Sequence, residues 1–365
     1  MKAECSGELI KNAVLQAERV TGKNLTLPIL GSILILASGK SIKLRATNLS
    51  LGIEIEIPAK IEKEGVVAVS GIVFQNIFLT MRINTTVSLE SAHGNLIVST
   101  KNNNILVKCH PYEDFPTIPT VSGKITTIPG KKSIEGITST YYSSAVSDIK
   151  PEIASVYIYP ENETLVFVAT DSFRLAEKKI KAGKLEDFPA ILIPFRNIIE
   201  IIRIMDGVND DVRLCFSKNQ LSISYDGVYI TSRLIDGVFP DYKQIIPKGH
   251  STMAVVLKQD LVSALKVSNI FSDKFNQISL SLIPAKKLFS FSGKNNDVGE
   301  NTTTTDAALE GEEVEVNLNH KYLLDCLQSI PEDSVSLEFN GVSKPIIIRG
   351  VGNHSFTYLV MPMNR

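Results

Sequence analysis

PFRNIIEIIRIM, residues 194–205, carries apolar side chains at helical spacing behind a proline that suits a helix start. Two other stretches share its length and pattern, SGIVFQNIFLTM at 70–81 and NHKYLLDCLQSI at 319–330. Aligned on their last residues, Met81, Met205 and Ile330, they lie 124 and 125 residues apart. A third of the 365-residue chain is about 122 residues, so this period fills the sequence.

Other landmarks keep the same step. EDFP (113–116) recurs as GVFP (237–240), and Ala46-Thr47-Asn48 recurs as Ala169-Thr170-Asp171. A second helical segment precedes the first in each third: GELIKNAVLQAERV (7–20), KKSIEGITSTYYSSAV (131–146) and KQDLVSALKVSNIF (258–271). In the first of these, Leu9, Ala13, Ala17 and Val20 fall on one stripe. Between helices the period drops to two. GIEIEIP (52–58), NQLSISYD (219–226) and EVEVNL (313–318) alternate as a sheet with one buried face requires. Turn signals at His93-Gly94 and Asp226-Gly227 separate such runs. The expected fold is α+β: three tandem units, at 1–124, 125–248 and 249–365, each with two helices and six to eight short, mostly antiparallel strands.

Composition agrees with a folded chain, at 44% hydrophobic and 21% charged residues with a net charge of −1. Glu4, Glu8 and Lys11 interrupt the apolar positions of the N-terminus, which excludes a signal peptide or a membrane span there and makes the cytoplasm the expected compartment. With their flanking residues, at 8–23, 70–82, 131–146, 194–205, 258–274 and 319–330, the helical segments hold 12 Lys and Arg against 7 Asp and Glu, a net of +5, which leaves −6 for the remainder. Positive helices on an acidic body suit a polyanion partner, although solvated helix faces give the same count. Cys5, Cys109, Cys215 and Cys326 are far apart and the five histidines are dispersed, so free thiols are expected and no metal site or cofactor.

Phosphate-binding, nucleophile-elbow and zinc-protease motifs are absent. The string ATDSFRLA (169–176) sets Ser172 beside Asp171, yet a triad needs a positioned histidine and none is near in sequence. A structural role for Asp171 or Arg174 competes there with a recognition surface. FPDYKQIIP (239–247) reads as a loop with exposed apolar residues, and the chain closes on Met361, Pro362 and Met363, adaptable side chains of the kind found at promiscuous surfaces.

Taken together, ATDSFRLA, SRLIDGVFPDYKQIIP (232–247), LTLPILGSILI (25–35) and YLVMPMNR (358–365) resemble the bacterial DNA polymerase III β subunit family, the replicative sliding clamps, over nearly the whole chain and in order. The resemblance implies a non-enzymatic processivity factor: a head-to-tail homodimer whose six domains form a ring, with helices facing sequence-independent double-stranded DNA. It also implies a cleft that takes short linear motifs of the polymerase III catalytic subunit, the clamp loader, and other polymerases and repair proteins.

Carried over residue by residue, the peptide-binding cleft is expected at Ile153, Thr170, Phe173, Arg174, Leu175, Pro240, Val342, Val360, Met361, Pro362 and Met363. DNA contacts are expected at Lys23, Lys150 and Arg196. The dimer interface is expected on two edge stretches, NNILVKCH (103–110) with Ile105 and Val107, and SNIFSDKF (268–275) with Ile270 and Phe271. The chain departs from the family pattern at Ser172-Phe173, where many members have Gly-His, at Pro151-Glu152 in place of a tyrosine pair, and at Ile72-Val73 in place of basic residues. Two other readings stay open on the residues: a three-domain peptide-binding adaptor that does not encircle DNA, and a hydrolase using Ser172.

Overall fold

The computed structural model describes residues 1–22, 26–81, 86–183, 185 and 187–363. Among the described residues, six α-helices stand where 3.6-residue spacing places them: α1 Gly7–Glu18, α2 Gly71–Thr80, α3 Gly130–Thr138, α4 Phe195–Ile204, α5 Lys258–Ile270 and α6 His320–Leu327. The buried stripe of α1 is Ile10, Ala13, Val14 and Ala17; Leu9, expected on it, is 42% exposed. Helix α3 is shorter than its sequence signal. The Thr138 and Thr140 hydroxyls donate back to the Ile134 and Gly136 carbonyls, and a 3-10 turn at Tyr141–Ser143 follows.

All inter-strand pairings are antiparallel. The chain divides into two compact units, Met1–Lys131 with Ile199–Leu234, and Lys132–Ile198 with Ile235–Arg365. The middle third is shared between them.

In the first unit, strand Leu51–Lys63 is long enough to take three partners. Its first half pairs with Ser41–Thr47 and with Val228–Arg233, and Ala59 to Lys63 pair with Lys2–Ser6. The first eight strands thereby close a circuit, and the sheet continues through Val228–Arg233, Gln220–Tyr225, Asp211–Ser217 and Ile125–Pro129. At the join, Ile230 lies opposite Ile53, both fully buried.

The second unit holds a nine-stranded and a four-stranded sheet. In the larger, strand Arg174–Lys181 pairs with Phe356–Val360, setting Leu175 opposite Leu359. Val166, Val168, Leu175, Phe239, Tyr242, Ile347 and Leu359 pack into one core, while Val360, Ile346, Ile348 and Tyr358 belong to another. Consecutive residues of the last strand therefore face opposite ways.

The stretch 239–247 is not the exposed loop its composition suggests. Phe239 and Tyr242 are buried, and the Tyr242 hydroxyl donates to buried Glu177 while accepting from Tyr159 (2.8 Å). Only Ile245, at 51% exposed, remains open as a large apolar side chain there.

Among the described residues, Ile125–Pro129, Ile191–Pro194, Ala307–Gly311 and Val314–Asn319 are edge strands with one neighbouring strand each, and two further open edges lie beside exposed apolar side chains. Strand Asn104–His110 pairs fully with Asn95–Ser99, but on its other side only His110 and Cys109 meet Ala68 and Val69. Strand Gly299–Thr305 pairs only with Leu288–Asn295.

Candidate functional site

The site begins at the turn between strands Thr164–Thr170 and Arg174–Lys181. Asp171 caps it: one carboxylate oxygen accepts from the Phe173 and Arg174 amides, both at 2.9 Å. The Thr170 hydroxyl donates to the Arg174 carbonyl (2.7 Å) and accepts from the Ser172 amide (3.2 Å). Ser172 is held at φ 77°, the left-handed region that costs a non-glycine residue about 1 kcal/mol or more.

The same turn recurs at Thr47-Asn48-Leu49. The Thr47 hydroxyl donates to the Leu51 carbonyl, Asn48 accepts from the Ser50 and Leu51 amides, and Leu49 sits at φ 73°. The sequence repeat thus repeats a hydrogen-bonding pattern and not only a composition.

Arg174 locks this turn to the last third of the chain. Its guanidinium donates to Asp171 (3.0 Å) and Asp325 (2.6 Å) and lies 4.3 Å from the Tyr322 ring centroid. Burial pushes the Tyr322 and Tyr358 hydroxyls up, so both stay neutral. Beyond Val360 the tail leaves its strand but not the surface. The Met361 amide donates to the Phe173 carbonyl (2.8 Å), and the Met363 amide donates to the Asn317 carbonyl (2.7 Å).

These contacts frame a groove of about 380 Å³ lined by Thr170, Ser172, Phe173, Arg174, Leu175, Ile245, Pro345, Leu359 and Met361. Its walls are mostly hydrocarbon and its one cation is already paired twice. Phe173 projects at the rim, 63% exposed. Such a groove can take apolar anchors of an extended chain, with backbone groups of the turn and tail nearby to set direction.

Five of the expected cleft residues, Thr170, Phe173, Arg174, Leu175 and Met361, come together here. Val360 does not: strand alternation turns it into the opposite core, fully buried. Ile153 is buried, Pro240 and Val342 are exposed outside the lining, and Pro362 and Met363 are half-buried farther along the tail. Ser172, Ile245, Pro345 and Leu359 line the groove without having been expected. Period-two alternation from Met361 points to Leu359; nothing local points to Pro345.

Among the expected cationic residues, Lys23 lies outside the described residues. Lys150 is exposed, and Arg196 forms an exposed pair with Asp148 (2.7 Å) that phosphate can displace at little cost. Helix α2 contains no charged residue and exposes Ile72, Val73 and Leu79. At the expected interface, Ile105 is half-buried and Val107 buried on the strand with the open edge. The other stretch needs correction. Residues 268–270 end helix α5 and Phe271 is its C-cap, so the open edge on that side of the sheet is the neighbouring strand Gly299–Thr305, with Ile270 63% exposed.

Ser172 has no hydrogen bond to a described histidine; His110 bonds Ser32, His250 meets Glu310, and both ring nitrogens of buried His320 lack partners. Among the described residues no cluster of His, Cys, Asp or Glu can hold a metal ion, and no helix is long and apolar enough to cross a membrane.

Three family profiles match the chain in tandem: the DNA polymerase III beta subunit N-terminal domain over residues 1–119, its central domain over 127–241, and its C-terminal domain over 243–364. Curated relatives include the beta sliding clamps of Synechocystis sp. and Proteus mirabilis, each 26% identical across the whole of this chain and 99% and 100% of theirs. Among solved structures, a DNA polymerase sliding clamp from Bacillus subtilis superposes with a TM-score of 0.93 at 24% identity, and a DNA polymerase III beta subunit from Thermotoga maritima with 0.94 at 22%. Both superpositions cover 100% of this chain and 99% of the other. A Pseudomonas aeruginosa sliding clamp, similar at 0.93 and 23% with full coverage of both chains, was solved bound to griselimycin.

Proposed function

The chain belongs to the DNA polymerase III β subunit family, and on that premise we propose that it is a replicative sliding clamp: a non-catalytic processivity factor that encircles duplex DNA and tethers the polymerase to it. The repeats at 1–124, 125–248 and 249–365 are each one clamp domain of a head-to-tail homodimer. Its compartment is the cytoplasm.

The observation that carries this reading is that two of the chain's open strand edges, Asn104–Lys108 and Gly299–Thr305, each lie beside a large apolar side chain left exposed in the single chain. Open edges invite association, and pairing one with the other in a second copy uses both and closes a ring. Leu106 and Ile270, each more than 60% exposed, supply apolar area beside these edges.

Retention on DNA is then topological. Contacts from Lys23, Lys150 and Arg196 need only be weak and salt-screened, so the ring slides. The groove at Leu175, Ile245, Leu359 and Met361 receives short apolar motifs of the polymerase, the loader and repair proteins.

Loading the protein onto nicked circular DNA with a clamp loader, then linearising the circle, tests the mechanism. The expected result is release on linearisation at constant salt. Equal retention on circular and linear DNA would leave the adaptor reading in its place.

A further inference from the structure

We infer that the groove continues past Ile245 and Pro345 into a second, basic hollow that holds an acidic residue of the partner peptide; this rests on the peptide-groove reading above. Ile245 and Pro345 line both cavities, so the two adjoin at these side chains. The second is larger, about 540 Å³, and its character is different: Lys248 and Lys344 reach it from two separate segments.

Both lysines are exposed, and no ion pair of either is found among the described residues. Two carboxylates near these segments are engaged elsewhere. Glu310 faces His250 at 3.4 Å, and Asp241 accepts from Gln244 at 2.6 Å. The two segments are tied together, because the Asn340 side chain donates to the Gly249 carbonyl (2.6 Å) and the Ser251 amide donates to the Phe339 carbonyl (2.9 Å). The lysines therefore flank one fixed hollow.

The apolar groove cannot itself accommodate an acidic residue, since Arg174 is already bound to Asp171 and Asp325. An extended chain advances about 3.3 Å per residue, so the hollow falls within roughly three residues of the apolar anchors. The occupant is thus an apolar pair followed or preceded, on one side only, by Asp or Glu. The lysines add specificity and on-rate, screened by salt, more than raw affinity.

Three fluorescein-labelled eight-residue peptides test this, each with a central Leu-Leu pair and flanked by Asn on both sides, by Asp on the N-terminal side, or by Asp on the C-terminal side. Fluorescence anisotropy with the full chain is expected to show about five-fold tighter binding for one Asp peptide than for the Asn peptide at low salt, and no difference at 1 M salt. In Lys248→Glu/Lys344→Glu the preference disappears while the Asn peptide binds as before. Equal gain from Asp on either side, or a preference that survives the double substitution, overturns the inference and leaves the groove intact. Absence of binding by all three peptides, with wild type and variant alike, overturns the groove reading and this inference with it.

Discussion

Arg174 and Asp325 are 151 residues apart in sequence, and the guanidinium of the first donates to the carboxylate of the second at 2.6 Å. The pair ties the turn that opens the groove to helix α6, and Asp171 holds the same guanidinium from the other side. Arg174→Ala strands the less exposed Asp171 carboxylate and removes the stack on Tyr322, so it should lower stability by about 2–3 kcal/mol. Arg174→Lys keeps the charge but cannot bridge both carboxylates in one plane. Urea titration of both variants checks this; a lysine variant as stable as wild type would show that charge alone is sufficient.

Deleting the last five residues, Met361 to Arg365, removes one groove wall and two backbone hydrogen bonds, to Phe173 and Asn317. The strand Phe356–Val360 keeps its place between two neighbours. The expected loss is about 2 kcal/mol of stability, with peptide affinity down at least ten-fold and the dimer intact. Calorimetry, anisotropy and sedimentation read the three quantities separately; unchanged affinity would remove the tail from the groove.

Ile270→Asp places a charge where 63% of an isoleucine is open in the single chain. The fold should tolerate it. If that side chain is buried in a second copy, the mass in sedimentation falls from about 80 kDa toward the 40.0 kDa chain at micromolar concentration. A dimer that persists with wild-type affinity would move the interface elsewhere.

Ser172→Gly relaxes the strained turn. Removal of the Cβ at φ 77° gains about 1 kcal/mol, offset in part by the greater freedom of glycine in the unfolded chain. A net rise of a few tenths of a kcal/mol in chemical denaturation is expected, and serine-reactive probes should leave wild-type Ser172 unlabelled.

Alkali should destabilise the fold. Burial pushes the Cys5 thiol up to about 12 and raises the Cys326, Tyr142, Tyr225 and Tyr358 hydroxyl or thiol values well above their ordinary range. The native state keeps these protons when the unfolded chain loses them, so stability is full below about pH 8.5 and falls as pH rises beyond it. Melting temperature measured from pH 8 to 11 should stay level to about pH 8.5 and decline from there. At pH 8, a thiol reagent should modify half-buried Cys109 well ahead of Cys5 and Cys326.

Much of this was legible in local spacing. Six helices followed from apolar positions at 3.6 residues, and the Thr-Asn and Thr-Asp pairs one period apart marked two copies of one turn. What local pattern could not supply was set by long-range register. Leu359 enters the groove and Val360 leaves it because the last strand pairs with Arg174–Lys181 in one phase and not the next. Ile245 and Pro345 are brought together by two chain segments about a hundred residues apart, each unremarkable alone. The stretch 268–275 is not the edge strand expected, for a different reason: its apolar residues end a helix beside an edge strand of Gly, Glu, Asn and four Thr, which carries no hydrophobic signal.

The middle third owns no sheet of its own. Its strands Val228–Arg233, Gln220–Tyr225, Asp211–Ser217 and Ile125–Pro129 extend the sheet of the first third, and Ser155–Glu161, Thr164–Thr170, Arg174–Lys181 and Ile191–Pro194 extend that of the last. The period of the sequence is therefore not the period of the sheets. Excised at its repeat boundaries, the middle segment would carry two newly bared sheet edges and part of two cores, so a gene cut where the sequence repeats would yield a fragment that aggregates.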